Sequence, residues 1–171
     1  MHKHVVAHLR KMNRIKLNLD FLEFIKTGKF GFLKLGETKT EIENQCFPPE
    51  DWINGKSKQT SKIWRYGNIE FHFNERNKLN GIFTDYVSEI SGGESISISN
   101  WWILSNNKGS PSLLSTIKEL NSLNLNYTKT ALNVGCIELK LSNGVYFSFD
   151  HPNENPSEEQ NNWTMTVIGK K

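Results

Sequence analysis

The residues whose types and spacing could support acid–base chemistry lie in an aromatic stretch of this 171-residue chain. Glu70 and His72 are two residues apart in the run IEFHF, so an extended backbone would place both side chains on one face of a strand. Asp85 follows the next alternating run. A carboxylate beside an imidazole can transfer a proton in general acid–base catalysis. One hypothesis is therefore a small enzyme or ligand-binding domain that uses Glu70, His72 and Asp85 in a cleft on the sheet. Solvation of a polar strand face explains the same residues more simply.

The sequence contains no other pattern typical of catalysis or metal binding. No serine lies in a nucleophile elbow, no glycine-rich loop has phosphate-binding spacing, and no His or Cys cluster has metal-ligand spacing. Cys46 falls at the predicted C-terminal end of a helix, where the dipole opposes thiolate formation. We interpret Cys46 and Cys136 as reduced thiols, and a single bridge between the two halves of the chain is the alternative. We expect a protein that is not an enzyme and has no catalytic residue, no metal and no cofactor.

The positive charge is concentrated at the start of the chain. Five of the 21 basic residues lie within the first sixteen positions, which leaves 16 basic residues against 18 acidic ones in the rest. This pattern predicts a basic, flexible tail over residues 1–16 and a single domain over residues 17–171. A mildly acidic body is not typical of nucleic-acid-binding proteins, which usually present a basic face.

Hydrophobicity excludes a membrane-spanning helix and disfavours a secretory signal. No apolar run approaches the roughly 20 residues needed to cross a bilayer. The N-terminus has neither the apolar stretch nor the small-residue cleavage site of a signal peptide. We therefore expect a cytoplasmic protein with no nucleic-acid or membrane partner. The sequence leaves the oligomeric state open.

Two helices are predicted near the start of the domain. The segment NLDFLEFIKTG has apolar residues near helical spacing, with Asn18 or Asp20 as a cap and Gly28 as a stop. Thr38 and Glu41 are three residues apart and form a capping-box pattern for a second, shorter helix.

Antiparallel strands are predicted after a polar loop over residues 50–61. The runs KIWRY, IEFHF and KLNGIFTDYV alternate aromatic or aliphatic residues with polar ones, as half-buried strands do. Trp64 and Tyr66 share one face, and SISIS alternates again before Trp101-Trp102. The core-facing residues predicted for IEFHF are Ile69, Phe71 and Phe73.

The second half of the chain repeats this order. Ser110 is predicted to cap a helix that begins at Pro111. The runs NYTKTAL, VGCIELKLS and VYFSFD predict three strands, and Asn143-Gly144 predicts a hairpin between the last two. After an acidic segment over residues 151–162, WTMTVIG is predicted to close the sheet.

Together these signals predict an α+β protein with two tandem halves, residues 17–94 and 95–171. Each half would be a helix followed by an antiparallel meander, with the helices packed on one face of the sheet.

Two sets of segments resemble a family of small, largely uncharacterised bacterial proteins. The first set is FLKLGETKTEIENQCFPPEDW, SKIWRYGNIEFHF and LNGIFTDY, and the second is WWILSNN, LLSTIKELNSLNLNY and IELKLSNGVYFSF. The resemblance covers residues 20–170, and WRYGNIEFHF is its most specific part. Members resemble immunity-type proteins of bacterial toxin systems. The tandem is also similar in fold alone to the beta-lactamase inhibitor protein and the outer-membrane lipoprotein assembly domain.

The resemblance implies a cognate protein toxin as the partner and occlusion as the mechanism. Acidic loops, with Glu89 and Glu94 among them, would complement a basic toxin surface and speed encounter. A loop tryptophan would supply the anchor, because large aromatic residues dominate interface energetics. The expected partner-binding residues are Glu50, Asp51, Trp52, Glu154, Glu158 and Glu159.

Overall fold

The protein is an α+β protein, as the sequence predicts. The computed structural model describes residues 16–105, 108–133, 135–152 and 162–171, and these contain three α-helices and ten β-strands. The helices are α1 (Phe21–Thr27), α2 (Lys39–Gln45) and α3 (Leu113–Ser122). The strands are β1 (Leu17–Asp20), β2 (Asp51–Ile53), β3 (Ile63–Tyr66), β4 (Ile69–Phe73), β5 (Leu79–Thr84), β6 (Ile96–Ser99), β7 (Tyr127–Asn133), β8 (Cys136–Leu141), β9 (Val145–Asp150) and β10 (Thr164–Lys170). Short 3-10 helices cover Val87–Glu89 and Trp102–Leu104.

Eight strands form one antiparallel sheet in the order β2-β3-β4-β5-β10-β9-β8-β7. The predicted hairpins β3–β4 and β8–β9 are both present. The last strand, β10, was expected to close the sheet but lies at its centre, where Ile168 opposes Thr84 on one side and Phe147 on the other. β10 therefore joins the strands of the first part of the chain to those of the second.

A separate two-stranded parallel sheet corrects one sequence prediction. Leu17 pairs with Ile96 and Asp20 with Ser99, so β1 and β6 lie side by side, whereas SISIS was expected in an antiparallel meander. Of the two caps that the sequence offers for α1, Asn18 and Asp20, the structure has Asp20. Its side chain accepts a hydrogen bond from Glu23 N at 2.9 Å, so the helix begins only after it. This pairing joins residues 17–94 to residues 95–171, so the two predicted halves are not separate units in the sheet. The tandem arrangement of two halves stays a prediction.

The helix caps follow the sequence in two cases and differ in the third. The Thr38–Glu41 capping box is confirmed, and Gly28 ends α1 with a left-handed φ of 72°. The cap of α3 is Ser112, whose side chain accepts from Ser115 N, and not Ser110. Ser112 is extended and forms a bridge with the start of β10, so the helix cannot begin at Pro111.

The aromatic strand residues form the core, as predicted. Ile69, Phe71 and Phe73 are buried, whereas Glu70 and His72 are half-buried on the opposite face. Part of the predicted 50–61 loop is a strand, because β2 pairs with β3 and sets Trp52 opposite Trp64.

Both tryptophans of the Trp101-Trp102 pair pack against this core. Trp101 stacks on Phe21 with ring centroids 6.3 Å apart, and the Trp102 ring lies 5.4 Å from that of Phe147. Among the described residues, no helix is both long enough and apolar enough to span a bilayer.

Candidate functional site

Glu70 and His72 form the pair that their spacing predicts. His72 Nε2 lies 2.8 Å from Glu70 Oε2, and the His72 ring packs on Phe83 with a centroid separation of 4.6 Å. Both side chains lie on the face of β4 opposite to its buried residues. The pair is geometrically able to exchange a proton.

Asp85 is not part of this pair. His72 opposes Gly81 in the sheet, and Asp85 lies four residues beyond Gly81, past the end of β5. At about 3.3 Å per strand residue the separation along the strand is about 13 Å. The register therefore separates Asp85 from His72, whereas it lies only two residues beyond Phe83, the residue that opposes Glu70.

Two cavities lined by described residues lie away from Glu70 and His72. One is an apolar cavity of about 20 Å³ in the core, beside Phe24, Phe30 and Ile82, with room for about one water molecule. Another is a groove of about 380 Å³ between β7 and β8. At about 4.8 Å per strand, β8 lies about 19 Å across the sheet from β4.

Neither cysteine is set up as a nucleophile. Both are free, and burial raises the pKa of the Cys46 thiol to about 12, with a smaller contribution from Glu37. Burial also raises the pKa of Cys136, together with a hydrogen bond to Asp150. Among the described residues, no group of three or more His, Cys, Asp or Glu side chains could hold a metal ion.

Glu50 has an internal structural role. Its carboxylate accepts hydrogen bonds from Gly67 N at 2.9 Å and from Glu94 N at 2.7 Å, which ties the β3–β4 turn to the loop at 88–94. Gly93 is needed beside it, because a Cβ there would lie 2.0 Å from Glu50 Oε2. The carboxylate that the sequence assigns to a partner thus joins two loops, and because Glu50 is exposed its part in partner binding stays a prediction.

Asn68 fixes the same loop from the other side. Its side-chain Nδ2 donates to Glu89 O at 2.8 Å, and its Oδ1 accepts from Ser91 N at 2.8 Å. The backbones pair as well, since Asn68 N donates to Ser91 O at 3.0 Å. This loop is therefore held in place at several points although it has little regular structure.

These bonds bring four of the predicted acidic residues to one end of the sheet, which we call the acidic end: Glu50, Asp51, Glu89 and Glu94. Asp51 pairs with Arg65 opposite it, at 3.4 Å between Oδ2 and Nη1. Within the described part of the chain, the other three carboxylates form no ion pair. The acidic end is thus a negatively charged surface on a fixed backbone.

Trp52 lies on edge strand β2, next to Asp51, and 40% of its surface is exposed. The loop that follows is tied down, because Trp64 Nε1 donates to Lys58 O at 2.6 Å and Lys39 Nζ donates to Gln59 O at 2.9 Å. Lys58 also pairs with Glu43 on α2 at 2.6 Å. An exposed tryptophan on a strand whose neighbouring loop is held in place is the kind of residue that anchors protein interfaces.

Sequence reasoning missed two contributors to this region. Lys39 is buried under the loop, with its ammonium 5.0 Å from the Phe73 ring, and burial lowers its pKa. Tyr86 is more than half exposed and lies near the start of the 3-10 helix that ends at Glu89. A lysine at the first position of a helix gives no sign of burial in the sequence. Glu154, Glu158 and Glu159 lie outside the described residues, as does the predicted tail up to residue 15.

Comparison of the chain with protein-family models, with curated proteins and with solved structures gives no match.

We expect Glu50→Gln to lower the free energy of unfolding by about 1–2 kcal/mol, because it removes the charge from two hydrogen bonds to backbone N–H groups. The matched control is Asp51→Asn, which loses an exposed ion pair and the charge on a single bond from the neighbouring Trp52 N, and should change stability by less, about 0.5 kcal/mol. Urea unfolding of both variants measures the difference. Equal effects would contradict the structural role of Glu50.

Proposed function

We propose that this protein is a protein-binding module of the immunity type, which blocks a cognate basic toxin in the cytoplasm by covering its surface. The observations that carry the proposal are the acidic end, where fixed loops present Asp51, Glu89 and Glu94, and the exposed Trp52, which follows Asp51 in β2. The two free cysteines fit a reducing compartment.

The site geometry favours binding over catalysis. Asp85 lies four residues beyond the residue opposite His72, the apolar core cavity beside Phe24 and Phe30 has room for only about one water, and the thiol pKa values are raised. A protein that acts by occlusion needs none of these groups to react. It needs a fixed surface whose charge and shape match the partner.

The fixed backbone of the acidic end favours tight binding for a physical reason. Ordering a loop on association costs free energy, and this cost is small when the loop is already held in its bound form. Asn68 and Glu50 hold the loops through at least four hydrogen bonds. The carboxylates can then steer a basic partner and raise the association rate.

Trp52→Ala should weaken binding of the toxin by about 2 kcal/mol, mainly through faster dissociation, as loss of an interface anchor does. The probe is the product of the adjacent gene, co-expressed with this chain and purified as a complex. Affinity is measured by titration in solution. The matched control is Leu132→Ala, an exposed apolar residue on β7 at the opposite edge of the sheet, which should leave affinity unchanged.

Replacing Glu89 and Glu94 together by Gln should slow association and flatten its salt dependence, with dissociation nearly unchanged. If the neighbouring product is not toxic, or is toxic and forms no complex with this chain, the proposal fails. A complex that tolerates Trp52→Ala would place the interface elsewhere on the molecule.

A further inference from the structure

Strand β7 is a long, exposed edge of the sheet. It pairs with β8 alone among the described strands and ends the eight-stranded order. Residues 128–132 are all exposed, and the segment YTKTALN contains no proline and a single charge. The other edge, β2, has only three residues. Natural proteins usually shorten or charge such an edge, because its unpaired N–H and C=O groups can pair with another chain.

Two features of β7 are complementary to each other. Leu132 is 52% exposed near one end of the strand. At the other end lies the groove of about 380 Å³, lined by Asn126, Tyr127, Thr128, Lys140, Leu141 and Ser142. A protruding apolar side chain and a groove on the same strand can fit each other only if two copies meet in antiparallel orientation.

We propose that two copies of this chain pair through β7 about a two-fold axis at Thr130. In this register Thr130 opposes Thr130 of the second copy, and Leu132 opposes its Thr128, a residue that lines the groove. A two-fold axis normal to the sheet keeps each face continuous and pairs residues of the same face. Each copy inserts its leucine beside the groove of the other.

The single charge of β7, Lys129, and the position of Leu132 select this register over its neighbours. An axis at Lys129 would set two lysines directly opposite each other, which is destabilising in a sheet. An axis at Ala131 would set Leu132 opposite Thr130 and take it away from Thr128. The axis at Thr130 places Lys129 opposite Ala131 and sets Leu132, which lies in the register shift between Ala131 and Asn133, beside Thr128.

The first arm of the test is the molar mass of the full chain in solution, measured by sedimentation from about 1 µM to about 1 mM, the range that a small interface implies. We expect a dimer that forms as concentration rises. Thr130→Lys sets two ammonium groups face to face and should leave a monomer throughout. Asn44→Lys, an exposed change on α2 that adds the same charge, should leave the dimer intact. Circular dichroism checks that both variants are folded.

The second arm tests the register by disulfide cross-linking under a mild oxidant. Thr130→Cys should form a covalent dimer with itself. Thr128→Cys should not, because the two copies of residue 128 lie four residues apart along the strand, about 13 Å. Mixing Thr128→Cys with Leu132→Cys should restore the cross-link. The wild-type chain controls for Cys46 and Cys136.

A wild-type chain that stays monomeric over the whole concentration range overturns the proposal. The β7 edge would then be open for pairing with an extended segment of another protein. A dimer that persists in Thr130→Lys, or that fails to cross-link through residue 130, also overturns it. Because β2 lies at the opposite edge, loss of the dimer would leave the acidic end intact, so this test is separate from that of toxin binding.

Discussion

Replacing Trp64 by alanine is expected to lower the free energy of unfolding by about 3–5 kcal/mol. The side chain is completely buried, and its ring lies 4.8 Å from that of Phe73. Its Nε1 donates to Lys58 O at 2.6 Å, and the Lys39 ammonium lies 5.6 Å from the ring centroid. The substitution leaves a cavity and an unpaired carbonyl, and it removes one of the two rings, Trp64 and Phe73, that the buried Lys39 ammonium faces.

Two control variants separate these contributions in urea unfolding experiments. Trp64→Phe keeps an aromatic ring but removes the donor to Lys58, so it should recover more than half of the lost stability. His72→Ala truncates a half-buried ring on the opposite face and should cost about 1 kcal/mol or less. A loss of under about 1 kcal/mol for Trp64→Ala would contradict the packing described here.

The strands and caps could be predicted because their signals are local. Alternation with a period of two fixes which side of β4 is buried, and a capping box is complete within four residues. The parallel pairing of Leu17 with Ile96 could not be predicted, since no short-range pattern links segments almost eighty residues apart. The central place of β10 depends on the same kind of long-range pairing.

In the candidate site, too, local sequence signals predict some features, whereas others depend on long-range contacts. Glu50 and Asp51 are adjacent and chemically alike, and nothing nearby in the sequence separates their roles. The bonds that occupy Glu50 come from Gly67 and Glu94, 17 and 44 residues away. The distance of Asp85 from His72 follows from strand register, which the sequence restricts only to a choice of face.

The two central glycines of the sheet, Gly169 on β10 and Gly81 on β5, lie on the same outer face in different surroundings. A Cβ on Gly169 would lie 2.6 Å from Phe83 Cβ, 2.7 Å from Ile82 O and 2.9 Å from the Tyr146 hydroxyl. The Tyr146 side chain thus lies across this glycine. Burial, with a smaller contribution from Glu138, raises the Tyr146 pKa to about 12. At Gly81 the nearest atoms are 3.7 Å and 3.8 Å away, which is ordinary contact.

Gly169→Ala should therefore lower the free energy of unfolding by about 2–3 kcal/mol, because the added methyl group meets a backbone oxygen that cannot move without disturbing the pairing of β10 with β5. Gly81→Ala should instead be neutral or stabilising by about 0.5–1 kcal/mol, through the lower entropy of the unfolded chain. Urea titrations of the two variants compare their free energies of unfolding at two positions on one face of the sheet. Equal effects at the two positions would mean that Tyr146 does not lie across Gly169. A large loss at Gly169 alone would show that the close approach of β5 and Tyr146 to the central strand β10 leaves no room for a side chain there.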